Sequence, residues 1–263
     1  MSRPNSCAQL QAPDGPVLLV GIDCAADPRN VGVSFGTLAG NGVRVTGVFS
    51  GQSRETIVDR VGQAIRTSAG PCLLCLDAPL GWPQALGVEL AAHTAGGPLA
   101  SPADQLFARE TDRFVRQVLG KRPLEVGANF IARTARAALG LLESLREATN
   151  QPIPLGWEPL GEHDGCAALE TYPAAVLTCR GLLQPGYKKD RAKREQVLDG
   201  LADELHIPDT LRDTALTTEH ALDSTLCLVA GMDFQRGLTL APPEELMEAA
   251  EKEGWIWIKP NSI

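Results

Sequence analysis

Three acidic residues each close a short apolar run: Asp23 in VLLVGIDCA, Asp77 in CLLCLDAPLG and Glu170 in CAALETYPA. A carboxylate at the end of a buried strand has to be paired, hydrogen-bonded or bound to a cation, because taking it out of water uncompensated is costly. A fourth acid, Asp223, lies in the apolar stretch TEHALDSTLCLVAGMDF. On a helix it shares a face with Leu226, Cys227 and Ala230 and so points into the protein. Four carboxylates brought together repel one another and resist ionisation; a divalent cation removes the conflict. Mg²⁺ or Mn²⁺ suits all-oxygen ligands and keeps coordination positions for water or phosphate. The chemistry expected of Asp23, Asp77, Glu170 and Asp223 is metal-assisted hydrolysis of a phosphodiester. His220, one turn before Asp223, is placed to orient a water or move a proton.

Each acid also has a plainer use. Asp23 could cap the turn that follows it, and Asp77 could order the turn at Ala78-Pro79. Glu170 could pair with a base such as Arg180, and Asp223 could be solvated if the helical phase differs.

The segment YKKDRAKR, residues 187–194, is locally basic. Lys188 and Lys189 are candidate phosphate contacts, and Tyr187 a candidate stacking surface. A solvated helix start is the simpler reading of the same charges. Arg109, Arg113 and Arg116 recur at helical spacing and can share one face, lining a groove or solubilising the helix. The net charge of -8 argues against a protein whose whole surface binds nucleic acid, but not against a local basic groove.

The elements that must position these residues read as one α/β unit over 16–260. Apolar strands over 17–25, 31–39 and 43–49 are separated by tight turns, Gly40-Asn41-Gly42 being the clearer, which implies an antiparallel meander. A helix capped by Ser53 runs to about Gly70, and a wholly apolar strand over 72–77 suits a parallel position covered on both faces. Residues 82–165 show no strand; helices over 101–119 and 129–148 make this a helical insertion. A fifth strand, 166–171, restores the pattern, followed by helices near 173–184, 190–205 and 218–234. GWIWI near the end reads as a short strand or a packing segment. The expectation is a mixed five-stranded sheet, three strands antiparallel and then two parallel, flanked by helices. Residues 1–15 read as a mobile tail.

No run approaches the roughly 18 apolar residues of a membrane span. The seven cysteines are odd in number and sit mostly in apolar runs, which fits reduced thiols and a cytoplasmic location. Cys72 and Cys75 form a C-x-x-C, but within a strand they point to opposite faces, against a shared metal or redox role. Oligomeric state stays open, a homodimer included.

The segments GIDCA, LDAPLGWP, LETYPAA, HALDSTLCLVAG and EGWIWI, in this order over about 17–260, resemble domain-of-unknown-function family 429. That family is described as predicted nucleases of the ribonuclease H-like fold. The resemblance implies that Asp23, Asp77, Glu170 and Asp223 match the family's acidic positions. It also matches ETDRFVRQVLGKR to a helical segment with an Asp-Arg pair, here Asp112 and Arg113, and GYKKDRAKR to a Tyr-Lys segment. It implies a metal-dependent nuclease, with DNA and RNA both open as substrate. Fold alone does not fix function. An ATP-binding phosphotransferase or ATPase of the actin-like superfamily, and a non-catalytic binding module keeping the fold, are the alternatives.

Overall fold

In the computed structural model, residues 16–127 and 130–261 are described; the segment 1–15 and its reading as a mobile tail lie outside them. The first apolar run forms β1 (Leu18–Asp23), and the meander continues through β2 (Gly32–Ala39) and β3 (Gly42–Ser50). Gly40, at φ +53°, makes the tight turn between β2 and β3. α1 (Arg54–Thr67) starts where Ser53 accepts a hydrogen bond from the Thr56 backbone N–H. β4 (Cys72–Asp77) follows. Next come α2 (Gln84–Ala92), α3 (Ala103–Phe107), α4 (Glu110–Leu119) and α5 (Ile131–Thr149). β5 (Cys166–Glu170) leads to α6 (Pro173–Cys179), α7 (Arg191–Gly200), β6 (Leu205–His206), α8 (Asp209–Thr217), α9 (Glu219–Gln235) and α10 (Met247–Glu253).

The sheet has six strands in the order β5-β4-β1-β2-β3-β6, one more than the sequence pattern predicts. β2 pairs antiparallel with both neighbours; every other pairing is parallel. The added strand is two residues long and sits where the apolar spacing predicts the end of a helix. α7 stops at Gly200, and Leu205 and His206 then pair with Val43 and Arg44. Two residues carry no period that could announce a strand.

Two cores cover the two faces. On one, Leu19, Leu73, Cys75 and Leu169 pack against α9, whose residues 221–235 are all buried. On the other, Val20, Leu74, Cys72 and Ala168 pack against Ile57 and Val61 of α1 and Leu142 and Leu145 of α5. Cys72 and Cys75 thus belong to opposite faces. α5 lies inside the predicted insertion, yet it shares with α1 the layer beneath the sheet.

α9 lies very close to β1 and β2 because glycines face it. A Cβ on Gly21 would stand 2.0 Å from the Ser224 carbonyl oxygen, and one on Gly32 would stand 1.9 Å from that of His220. Ser34 bonds Ser224 at 2.8 Å and Thr225 at 2.9 Å across the same contact. This approach carries the start of α9, with His220 and Asp223, to the carboxyl end of β1.

Candidate metal centre

Asp23 and Asp77 are register partners at the carboxyl ends of the parallel pair β1 and β4. They follow Gly21 and Cys75 at the two-residue period of a strand, so both carboxylates leave the sheet on the α9 side. Asp223 meets them there. One carboxylate oxygen from each of Asp23, Asp77 and Asp223 lies within 4.8 Å of the others. Asp223 is fully buried, Asp23 nearly so, and Asp77 is half-buried.

Each acid is held differently. His220 Nδ1 donates to Asp23 Oδ2 at 2.7 Å. The Tyr187 hydroxyl donates to Asp223 Oδ1 at 3.1 Å, and Lys188 Nζ lies 2.6 Å from Asp223 Oδ2. That last contact is an ion pair without the direction of a good hydrogen bond. No hydrogen bond or ion pair to the Asp77 carboxylate is found among the described residues.

The electrostatics follow. Burial pushes the Asp23 carboxyl up to about 6, with Asp223 adding to the rise and His220 opposing it. Burial raises Asp77 well above the carboxylate range, and the charges of Asp23 and Asp223 add to it. Burial raises Asp223 too, against the pull of Lys188 and Tyr187. Burial alone would lower the Lys188 ammonium, but Asp223, then Asp77 and Asp23, raise it above its ordinary value. The hydrogen bond to Asp23 raises His220. Three carboxylates therefore crowd one spot, with one lysine and one histidine against them.

Glu170, the fourth acid picked out by the sequence, ends elsewhere. It pairs in register with Leu76, one residue short of Asp77, so the strand period turns it away from the α9 side. Its neighbour Thr171 takes the α9 side instead and bonds Cys227 Sγ at 3.3 Å. Arg109 holds both oxygens of Glu170, Nη1 to Oε2 at 2.8 Å and Nη2 to Oε1 at 2.6 Å. The partner is not Arg180, which binds Glu204 at 2.6 Å and Asp233 at 2.9 Å.

Arg109 is 1% exposed and also grips Asp112, at 2.9 Å and 3.2 Å. Arg109, Arg113 and Arg116 do not form one helical face, because the predicted helix breaks. α3 ends at Phe107 and α4 begins at Glu110, with Arg109 as its cap. The break lets Arg109 turn inward to Glu170, and both residues line the same cleft as Asp23 and Asp77. Arg113 pairs with Glu110 and donates to the carbonyls of Asp104 and Ala108.

In the basic segment Lys188 and Tyr187 reach the acids, and among the described residues Lys188 is the one base of the segment paired with them. Lys189 is exposed, and Tyr187, 5% exposed, has its ring in the core rather than on a stacking surface. Arg194 is buried, contrary to a solvated helix start. Its Nη1 donates to the Lys188 carbonyl at 3.0 Å and its Nε to that of Leu216 at 3.1 Å, which fixes the segment against α8.

A cleft of about 220 Å³ opens over the centre; Asp23, Asp77, Lys188, Tyr172, Leu124 and Ile131 are among its lining residues. Sequence reasoning passes over Tyr172. Its signal is its place two residues after Glu170, at a strand end already marked by an acid. Burial pushes its hydroxyl up to about 12, and Asp77 adds to the rise.

Oxygen donors alone, crowded within 4.8 Å and resisting ionisation, fit a hard divalent cation. No helix among the described residues is long and apolar enough to cross a membrane. No curated protein and no solved structure matches the chain significantly. A family profile described as "Protein of unknown function (DUF429)" matches residues 21–248. The chain belongs to the DUF429 family.

Proposed function

We propose that this protein is a metal-dependent phosphodiesterase of nucleic acid, built on a ribonuclease H-like core. The observation that carries the reading is the convergence of Asp23, Asp77 and Asp223 from β1, β4 and α9 within 4.8 Å, at the carboxyl ends of parallel strands. Ligands of open α/β sheets gather at those ends. The strand order β3-β2-β1-β4-β5, with β2 alone reversed, supports the core assignment.

Asp23, Asp77 and Asp223 would hold Mg²⁺ or Mn²⁺. Bound there, such an ion supplies Lewis acidity toward a phosphoryl oxygen and acidifies a water. The chain's own groups complete the site. His220 fixes the orientation of Asp23. Lys188 presents a firmly protonated ammonium where a phosphate would lie. Tyr172 offers a hydroxyl donor in the cleft, and Leu124 and Ile131 give it apolar walls that limit water.

The test is a Mn²⁺-dependent cleavage screen over single-stranded, duplex and junction forms of DNA and RNA. Cleavage is expected to stop with EDTA and in Asp77→Asn, with circular dichroism unchanged. Cleavage persisting in a clean Asp77→Asn preparation overturns the reading.

A further inference from the structure

Two-ion phosphodiesterases place their cations roughly 4 Å apart, one on the attacking oxygen and one on the leaving oxygen. Such a pair brings four positive charges. The centre here supplies only three carboxylates, and one of them already faces a cation of the protein's own. The acid nearest to serving as a fourth ligand, Glu170, has both oxygens in the grip of Arg109, and its Oε2 also accepts from the Leu80 backbone N–H at 2.9 Å.

We infer that the Lys188 ammonium stands in the place of a second metal ion, so that the acidic centre takes one divalent cation and not two. The inference rests on the metal-dependent reading above.

Three features place Lys188 in that role. Its Nζ lies 2.6 Å from a buried oxygen of Asp223 that has no directed hydrogen bond. The backbone beneath it is tied down: Arg194 Nη1 donates to its carbonyl at 3.0 Å, and the preceding Tyr187 donates to the other oxygen of Asp223 at 3.1 Å. Two consecutive residues therefore hold both oxygens of one carboxylate, which leaves Asp223 little freedom to bridge two metals. Charge also balances. With His220 neutral, three carboxylates, one ammonium and one divalent ion sum to zero, whereas a second divalent ion would leave two excess positive charges in a largely buried site, and a protonated His220 would add a third. The Lys188 side chain is 52% exposed, so its ammonium can face solvent and a substrate phosphate while it neutralises Asp223. It would carry charge on the leaving oxygen, as a second ion does elsewhere, without a coordination sphere.

The experiment is Mn²⁺ titration of the full chain, with free Mn²⁺ followed by electron paramagnetic resonance and the bound signal inspected for exchange coupling. Wild type is expected to take one ion per chain with no coupled signal. Lys188→Met is expected to take two, with the coupled signal of a close pair, and Lys188→Arg to return to one. Lys188→Gln, nearer in polarity, is run beside Lys188→Met, and melting curves verify that each variant is folded. Two coupled ions in wild type overturn the inference and leave the metal-dependent reading intact. A single ion in folded Lys188→Met and Lys188→Gln also overturns it, since something other than Lys188 would exclude the second. No Mn²⁺ bound by wild type at millimolar concentration overturns both readings.

Discussion

Asp77 and Glu170 end neighbouring parallel strands one residue out of register, and that offset gives them different work. Asp77 is level with Asp23 and turns to the α9 side. Glu170 is level with Leu76 and meets Arg109. The Arg109–Glu170 pair joins four parts of the chain. Arg109 also holds Asp112 of α4 and donates to the Glu253 carbonyl at 3.1 Å, while Glu170 accepts from Leu80 in the loop after Asp77. Gly254, at φ +84°, passes so near that a Cβ there would stand 2.9 Å from Glu170 Oε2.

Removing Arg109 should therefore be far more damaging than a surface arginine change. Arg109→Met leaves Glu170 and Asp112 buried without their cation, a loss of about 3–5 kcal/mol for a broken buried pair. Urea denaturation should show it, with Arg116→Met, an exposed site, as control. Glu170→Gln keeps one acceptor and turns the other into a donor facing a donor, but Arg109 stays paired with Asp112, so it should cost less than Arg109→Met. Mn²⁺ binding in folded Glu170→Gln should match wild type; complete loss of Mn²⁺ binding there would return Glu170 to the ligand set.

Asp77→Asn should do the opposite to stability. Burial and the charges of Asp23 and Asp223 raise the Asp77 carboxyl, so its ionised form is under stress without metal. Neutralising it should lift the metal-free melting temperature by about 2–4 °C, the equivalent of about 1 kcal/mol in a chain of this size. Mn²⁺ is expected to stabilise wild type, and the same variant should lose most of that gain. Thermal melts with EDTA and with Mn²⁺ measure both; a lower metal-free melting temperature refutes the stress argument.

The acidic centre should also set a slope of stability against pH. Asp23 titrates near 3.8 when unfolded and is pushed up to about 6 in the fold, chiefly by burial. Between those values the folded state holds a proton that the unfolded chain has released. Stability from this group is thus present at low pH and lost as pH rises through about 6. His220, raised from 6.5, acts in the same direction, its contribution fading as pH climbs past its folded value. Mn²⁺ needs the carboxylates ionised, so it should reverse the slope. The gap in melting temperature between wild type and Asp23→Asn, followed from about pH 4 to about pH 8 with EDTA and with Mn²⁺, reads this directly. A gap that ignores pH in both conditions refutes it.

How much of this was legible from residues alone follows from what each signal encodes. Asp23, Asp77 and Asp223 were legible because each is an acid in an apolar run, and burial of a charge is visible as composition. That Glu170 leaves on the other side was not, because it depends on register between β4 and β5, and register is set by pairing rather than by either strand's pattern. Arg109 looked like part of a regular cationic face because helical spacing does not reveal a break. The break at Ala108–Arg109 exists to bring the guanidinium to an acid 61 residues away. Lys188 stood out from its basic neighbours only once the chain placed it beside Asp223. The five longer strands and the buried α9 were legible; the two-residue β6 was below what periodicity can show.

The closeness of α9 to the sheet gives the last prediction. Asp223 reaches Asp23 and Asp77 because nothing stands between Gly21 and the helix. In Gly21→Ala the new methyl would lie 2.0 Å from the Ser224 carbonyl oxygen and 3.0 Å from Cys227 Cβ. The first of these is backbone, so no side-chain rotation relieves it and α9 must move outward. Overpacking of this kind costs about 1–3 kcal/mol, and the displacement should also separate Asp223 from its partners. Gly21→Ala should therefore lower both the melting temperature and the affinity for Mn²⁺, although it changes no ligand. Gly87→Ala is the matched control: it lies within α2 and a Cβ there meets nothing within 4 Å. The control should gain about 0.5–1 kcal/mol from the better helix former and leave Mn²⁺ binding unchanged. Equal Mn²⁺ affinity in Gly21→Ala and Gly87→Ala would show that the seating of α9 does not set the geometry of the centre.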